Sequence, residues 1–283
     1  ISTGSEIISA QKTRQEVLIW TDSSLYAMRF TGPPFTFGFS MLANNVSIIG
    51  PNAVTTIGDR VFWMDRENFY AYTGRIQVIP CTLLRYVFDD INLDQSAKCF
   101  AAANKMFDEV FWFYPSADSA EIDRYVKFNF TENTWDLGTL SRTAWVDFGI
   151  HNNPRASGTS SGTSYVYIHE SGNNDDGSAM TSYIESADFD LGDGEQFMFV
   201  KRLIPDIDIT TTASRTVDYI LKTRDYPNDS LTTNSTNAVG TTTQQSFLRA
   251  RARQAVLRIE SSSTDVTWTL GDLRLDLRPD GRR

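Results

Sequence analysis

The sequence predicts an all-β fold, and three observations predict it. Short runs of β-branched and aromatic residues alternate with polar turn clusters: Val17-Leu18-Ile19-Trp20, Val61-Phe62-Trp63-Met64, Val110-Phe111-Trp112-Phe113-Tyr114 and Tyr165-Val166-Tyr167-Ile168-His169. These runs recur. Sliding the chain by 44 residues pairs Val17 with Val61, Ile19 with Trp63, Leu25 with Phe69 and Tyr26 with Tyr70, and later copies follow after 49 and 55 residues. Each period suffices for one four-stranded sheet, which cannot bury both faces alone and so packs on neighbours around a ring or in a stack. Helical spacing is confined to a short stretch near residues 83–95. The expected fold is therefore a partial or complete β-propeller over residues 1–186, an additional β-sandwich-like region over 187–283, and one or two short helices.

Taken in order, residues 1–15 are polar, Val17–Trp20 opens a strand, and Leu25–Phe30 returns it. Gly32-Pro33-Pro34 and Gly50-Pro51-Asn52 mark turns. In Val61–Asn92, Asp65–Asn68 breaks two strands, Thr73-Gly74-Arg75 turns into Ile76–Ile79, and Pro80 ends the sheet because it has no N–H for the ladder. Thr82 is the expected cap of a helix carrying Leu83, Leu84, Val87 and Phe88, and Asn92–Gln95 begins a further helical turn. Pro80–Asn92 has no counterpart in the other repeats, which makes Arg85, Asp89 and Asp90 candidates for contact with a neighbouring subunit. The third copy contains a longer loop, Pro115–Asp123. His151–Ser164 reads as a polar surface loop, and 226–246, rich in Thr, Asn and Ser, as an extended loop or polar edge. In Leu273–Arg278, leucines alternate with charged residues, so the leucines point inward.

The composition, 41% hydrophobic and 12% aromatic in 283 residues, fits an ordered globular chain with a sizeable core. No run of about eighteen apolar residues is present, so no membrane span is expected. Cys81 and Cys99, in apolar surroundings, read as buried free thiols of a reducing compartment. The chain opens on Ile1, and sequence upstream of it is expected. The net charge of −9 disfavours a general nucleic-acid binder. Its distribution is uneven: Arg249–Arg283 holds eight arginines against Glu260 and four aspartates, or +3, leaving −12 on residues 1–248.

Candidate chemistry is sparse. Gly158-Thr159-Ser160-Ser161-Gly162 fits a hydrolase elbow, with His169 downstream, but lacks the flanking strand and helix that strain such a serine, and reads as a surface loop. Asn173–Gly177 offers oxygen ligands without the spacing of a calcium loop, and reads as a turn. Asp89, Asp90, Asp94 and Glu109 are carboxylates of the kind glycoside hydrolysis uses, and they read more simply as helix-terminal residues. No catalytic residue, cofactor or metal is expected. Strand alternation places Arg249, Arg251 and Arg253 on one side about 7 Å apart. That stripe binds phosphate or nucleic acid, pairs with acidic residues of a neighbouring subunit, or is a solvated face. The acidic remainder of the chain favours the second, so these arginines are also subunit-interface candidates.

Five stretches carry a resemblance: Leu18–Phe39, Gly50–Val54, Val61–Asn92, Glu109–Asn129 and Leu273–Arg283. In wording and order they resemble the tail nozzle or tail hub proteins of short-tailed bacteriophages, also called packaged-DNA stabilisation or tail tubular B-type proteins. The resemblance implies a non-enzymatic virion component, made in the host bacterial cytoplasm and located in the tail. It implies a propeller-based subunit forming a ring, often a hexamer, that continues the DNA exit channel and retains or releases the genome. Its partners would be copies of itself, tail adaptor or portal proteins on one side and fibre, spike or needle proteins on the other, with DNA passing through irrespective of sequence. The net acidity suits a channel through which DNA slides. The competing expectation is a glycan-binding or glycan-hydrolysing propeller whose Trp and Tyr side chains line sugar platforms. Most of the six tryptophans, however, lie in apolar runs where core packing accounts for them.

Overall fold

The computed structural model describes residues 3–192, 194–211 and 215–282. The fold is all-β, with 53% strand and 5% helix. It comprises two compact units, residues 1–171 and 172–283.

The first unit is a succession of antiparallel meanders. Strands β1 (Ile7–Lys12), β2 (Val17–Thr21), β3 (Ser24–Phe30) and β4 (Phe37–Asn44) form one four-stranded sheet in sequence order. β5 (Val54–Ile57), β6 (Arg60–Met64), β7 (Phe69–Tyr72) and β8 (Ile76–Ile79) form the second, and β9 (Phe100–Asn104), β10 (Glu109–Tyr114), β11 (Arg124–Asn129) and β12 (Thr134–Thr139) the third. β13 (Ala144–Val146), β14 (Arg155–Ser160) and β15 (Thr163–Ile168) make a three-stranded fourth sheet. The 44-residue repeat is thus a repeat of whole sheets: β2–β3 and β6–β7 are its two copies.

The leading strands of successive sheets lie side by side, β1 by β5, β5 by β9 and β9 by β13. Gln11 Nε2 donates to Thr56 Oγ1 at 2.9 Å, Ala101 N to the Asn52 carbonyl at 2.8 Å, and Trp145 Nε1 to the Ala103 carbonyl at 2.9 Å. Aromatic residues fill the spaces between sheets. Trp20 meets Trp63 edge-on with ring centroids 5.4 Å apart, and Phe69 meets Trp112 at 4.8 Å. Alternation sends Trp112 into the core shared with the second sheet, and Phe111 and Phe113 to the other side, against Trp145 of β13. The second and third sheets therefore bury both faces.

Helix α1 (Leu84–Asp90) follows β8, and a 3-10 helix (Leu93–Lys98) precedes β9. Asn92 caps the latter through its side chain, accepting from Asp94 N at 3.1 Å. The expected cap at Thr82 is not formed. The helix starts one residue later than that cap requires, with Leu83 in the N-cap position and no side-chain cap bond. The polar stretch 151–164 is likewise not one loop. Arg155–Ser160 is a strand, because Ser161 and Gly162, at φ +50° and +79°, make the tight turn that lets it pair in register with Thr163–Ile168. Cys99 is buried and Cys81 half-buried, and both are free. Burial pushes the Cys99 thiol up to about 12, so it remains protonated.

The second unit starts with a small hairpin, β16 (Asn174–Asp175) and β17 (Ser178–Ala179), turning at Asp176-Gly177. β18 (Ser182–Glu185), β19 (Met198–Ile204), β20 (Ile207–Thr211), β21 (Val217–Arg224), β22 (Thr232–Val239), β23 (Ser246–Ala252), β24 (Gln254–Ser261), β25 (Val266–Leu270) and β26 (Arg274–Pro279) follow. One sheet has the order β18-β24-β21-β22, a second β23-β19-β26, and β20 pairs with β25. Inward side chains of both larger sheets, among them Met198, Val200, Leu203, Tyr219, Leu221, Leu248 and Leu257, form one core, the arrangement of a sandwich. The Thr- and Asn-rich segment supplies β22 at the sheet edge, where polar side chains suit a half-solvated strand. The division between units falls before the 186/187 boundary read from the sequence. Ser182–Glu185 hydrogen-bonds to Arg258–Ser261 and so belongs to the second unit.

Candidate functional site

The candidate site lies on the outer surface of the β23-β19-β26 sheet. β23 alternates strictly: Ser246, Leu248, Ala250 and Ala252 are buried, and Phe247, Arg249 and Arg251 exposed. Register then builds rows across the sheet. Phe199 stands opposite both Arg251 and Arg278, Arg202 opposite both Phe247 and Asp276, and Ile204 opposite Arg274. Arg253 departs from the simple alternation. It sits in the bend after β23 and is half-buried, yet shares a ring with Arg251, since their guanidinium carbons lie 4.9 Å and 3.9 Å from the centre of Phe197. Arg278 lies 4.8 Å over Phe199, and Arg249 5.4 Å over Phe247.

The pairing of β19 with β23 is irregular at the centre of this surface. Val200 pairs with Ala250 and Arg202 with Phe247, leaving Lys201 on one strand and Leu248 and Arg249 on the other outside the regular ladder. Arg249 there takes φ +50°, a left-handed conformation costing a non-glycine residue about 1 kcal/mol or more. The bulge thus places two cations, Lys201 and Arg249, at one irregularity.

Charge on this surface is unbalanced. Lys201, Arg202, Arg249, Arg251, Arg253, Arg274, Arg278 and Arg282 accompany three carboxylates, Glu195, Asp276 and Asp280, an excess of five positive charges among the described residues. Arg251 Nε is 2.7 Å from Asp280, Arg202 Nε 3.2 Å from Asp276, and Arg282 Nη2 3.5 Å from Glu195. Among the described residues, Lys201, Arg249, Arg253, Arg274 and Arg278 have no carboxylate within ion-pairing distance. The Arg253 Nε–H is shielded from solvent and has no acceptor among the described residues. Beyond Arg274 the turn chains become acidic, with Asp272 N donating to Asp206 at 3.1 Å, so the cationic region is centred on the Phe197–Phe199 end.

The opposite surface of the sandwich has the same residue types in a different arrangement. Lys222 lies 2.7 Å from Glu185, Arg224 2.6 Å from Asp188, and Arg258 bridges Glu185 at 3.2 Å and Glu260 at 2.5 Å while stacking 3.6 Å over Tyr183. Its hydrogen bond to Glu260 raises the already high Arg258 pKa, and the Lys222 hydrogen bond lowers that of Glu185.

The other sequence-derived candidates lie in the first unit. On α1, Arg85 and Asp89 are exposed, and Asp90 stands 3.7 Å from Arg124. Glu109 is nearly buried and held by Lys127 at 2.9 Å, so it belongs to a structural ion pair, and Asp94 lies in the first turn of the 3-10 helix. Ser160 ends a strand, while His169 accepts from Arg142 Nε at 2.9 Å and packs on Trp145. The stripe of arginines was visible in the sequence. The rings beneath it and the contributions of β19 and β26 were not, because strands distant in the chain supply them. No family model matches this sequence, and neither does any curated protein.

Proposed function

We propose that this chain is a structural subunit of a ring-shaped assembly, of the bacteriophage tail-nozzle kind that its sequence resembles, and that it has no enzymatic role. The observation that carries this reading is the pair of unpartnered apolar faces in the first unit. The second and third sheets bury both faces, whereas the first and fourth each leave one open. On the first sheet Phe30, Phe37 and Phe39 are exposed by 70%, 51% and 51%, and share a face with Met28 and Met41. On the fourth, Val166 and Ile168 of β15 are exposed by 69% and 57%, and Val146, exposed by 62%, lies two strands away across Arg155. Contiguous apolar surface like that of the first sheet marks a protein contact, and the adjoining sheets illustrate what covers such a face: another sheet. Heterologous contacts that close generate rings.

The test is oligomeric state by light scattering and native mass spectrometry across a concentration series. A discrete multimer is expected, dissociated by Phe37→Glu with Phe39→Glu. A species that stays monomeric at high concentration, alone and with an adaptor ring, refutes the reading. For the glycan alternative no observation speaks: the carboxylates considered for hydrolysis are held in ion pairs or exposed on helix termini, and Trp20, Trp63 and Trp112 are fully buried.

A further inference from the structure

We infer that the outer face of the β23-β19-β26 sheet binds the phosphate backbone of duplex DNA without regard to sequence. This does not rest on the ring reading, because it concerns a surface of the second unit alone.

Arg249, Arg253 and Arg278 have rings beneath them and, among the described residues, no carboxylate within ion-pairing distance. A guanidinium stacked on a ring keeps its plane fixed and its N–H edge free, the edge that binds phosphate oxygens in a bidentate fork. Arg253 is held differently: its Nη2 donates to the Arg282 carbonyl at 3.3 Å, and its Nε–H is shielded from solvent with no acceptor among the described residues. Arg249 is held in a left-handed conformation next to Lys201, so the fold accepts both backbone strain and like-charge proximity to keep two cations there. On the opposite face, with similar residues, each cation has a carboxylate.

The class of ligand follows from the same geometry. Because guanidinium groups lie over Phe197 and Phe199 at 3.9 Å and 4.8 Å, these rings are not open platforms for bases, and stacking of unpaired bases is not the main mode of binding. Cations about 7 Å apart along β23, with Arg251 and Arg278 two strand spacings (about 9.6 Å) apart across Phe199, fit a polyphosphate backbone. The net charge of −9 opposes such binding at long range. At physiological ionic strength, however, screening acts over about 8 Å, so at contact the local excess prevails over distant carboxylates. Binding is therefore weak and salt-sensitive.

The experiment is fluorescence anisotropy of a labelled duplex titrated with the full chain. A Kd of order 10⁻⁴–10⁻⁶ M is expected in low salt, and, with about three phosphates neutralised, affinity falls roughly 40-fold between 50 and 200 mM salt. Arg249→Gln with Arg278→Gln should weaken binding at least about tenfold, the loss of one to two phosphate contacts, with an unchanged circular-dichroism spectrum, since neither has an ion pair among the described residues. Lys222→Gln on the paired face should leave affinity unchanged. The inference is overturned by absence of binding in low salt, by equal affinity of the double variant, by tighter binding of single-stranded DNA, or by equal binding of polyglutamate, which would assign the face to an acidic protein. Oligomeric state does not enter these readouts, so this inference and the ring reading fail separately.

Discussion

The two outer faces of the sandwich are built from the same materials on one core, and they differ in what each arginine is given as a neighbour. On the β24–β21 face, Lys222, Arg224 and Arg258 each meet a carboxylate, whereas on the β23–β19–β26 face five cations meet none among the described residues. The paired face is closed electrostatically: its charges satisfy one another and contribute modestly to stability. The unpaired face leaves its charge for something outside the unit. Arginine content alone does not separate a structural surface from a binding one; the register of acidic residues does.

Both faces stand on one core. Leu203→Ala beneath the basic face and Leu257→Ala beneath the paired face should each destabilise by about 2–5 kcal/mol in urea denaturation, since both side chains are buried in one core. A much smaller cost for Leu203→Ala would mean that the basic face is loosely supported and its cations are not held in fixed positions.

A smaller effect distinguishes the faces directly. Arg249→Gly relieves the left-handed conformation, so stability should rise by up to about 1 kcal/mol while duplex affinity falls. Opposite signs in calorimetry and anisotropy would mark this residue as kept for binding at the expense of stability. Loss of both would make the bulge purely structural.

The smallest effect belongs to the paired face. Lys222 holds the Glu185 pKa below the ordinary 4.5, so the stabilisation is complete above 4.5 and lost as pH falls through the lower folded value. The urea midpoint of the second unit should therefore decline below pH 4.5, with a shallower slope in Glu185→Gln. Identical slopes would show the pairing to be energetically idle.

Much of the fold was legible locally. The apolar runs at Val17, Val61 and Val110 became β2, β6 and β10, and their period became the repeat of whole sheets, because β-branched and aromatic residues fit a pleated surface buried on both faces. Two local expectations failed for equally local reasons. Ser161-Gly162 formed a turn tight enough to zip the polar segment Arg155–Ser160 into a sheet, and Leu83 rather than Thr82 took the helix N-cap.

For the candidate site, sequence alone determined the alternation that turns Arg249 and Arg251 outward together and Leu275 and Leu277 inward, since side-chain direction along a strand follows from the backbone's period of two. Tertiary structure alone decided that Phe199 would lie between Arg251 and Arg278, that Phe197 would serve both Arg251 and Arg253, and that Glu185 and Glu260 would flank Arg258 on the far side. The physical reason is that strand order is not written in periodicity. β19, β23 and β26 lie far apart in the chain, and only the burial of their shared core sets them edge to edge. That pairing determines which arginines find a carboxylate and which remain open to phosphate.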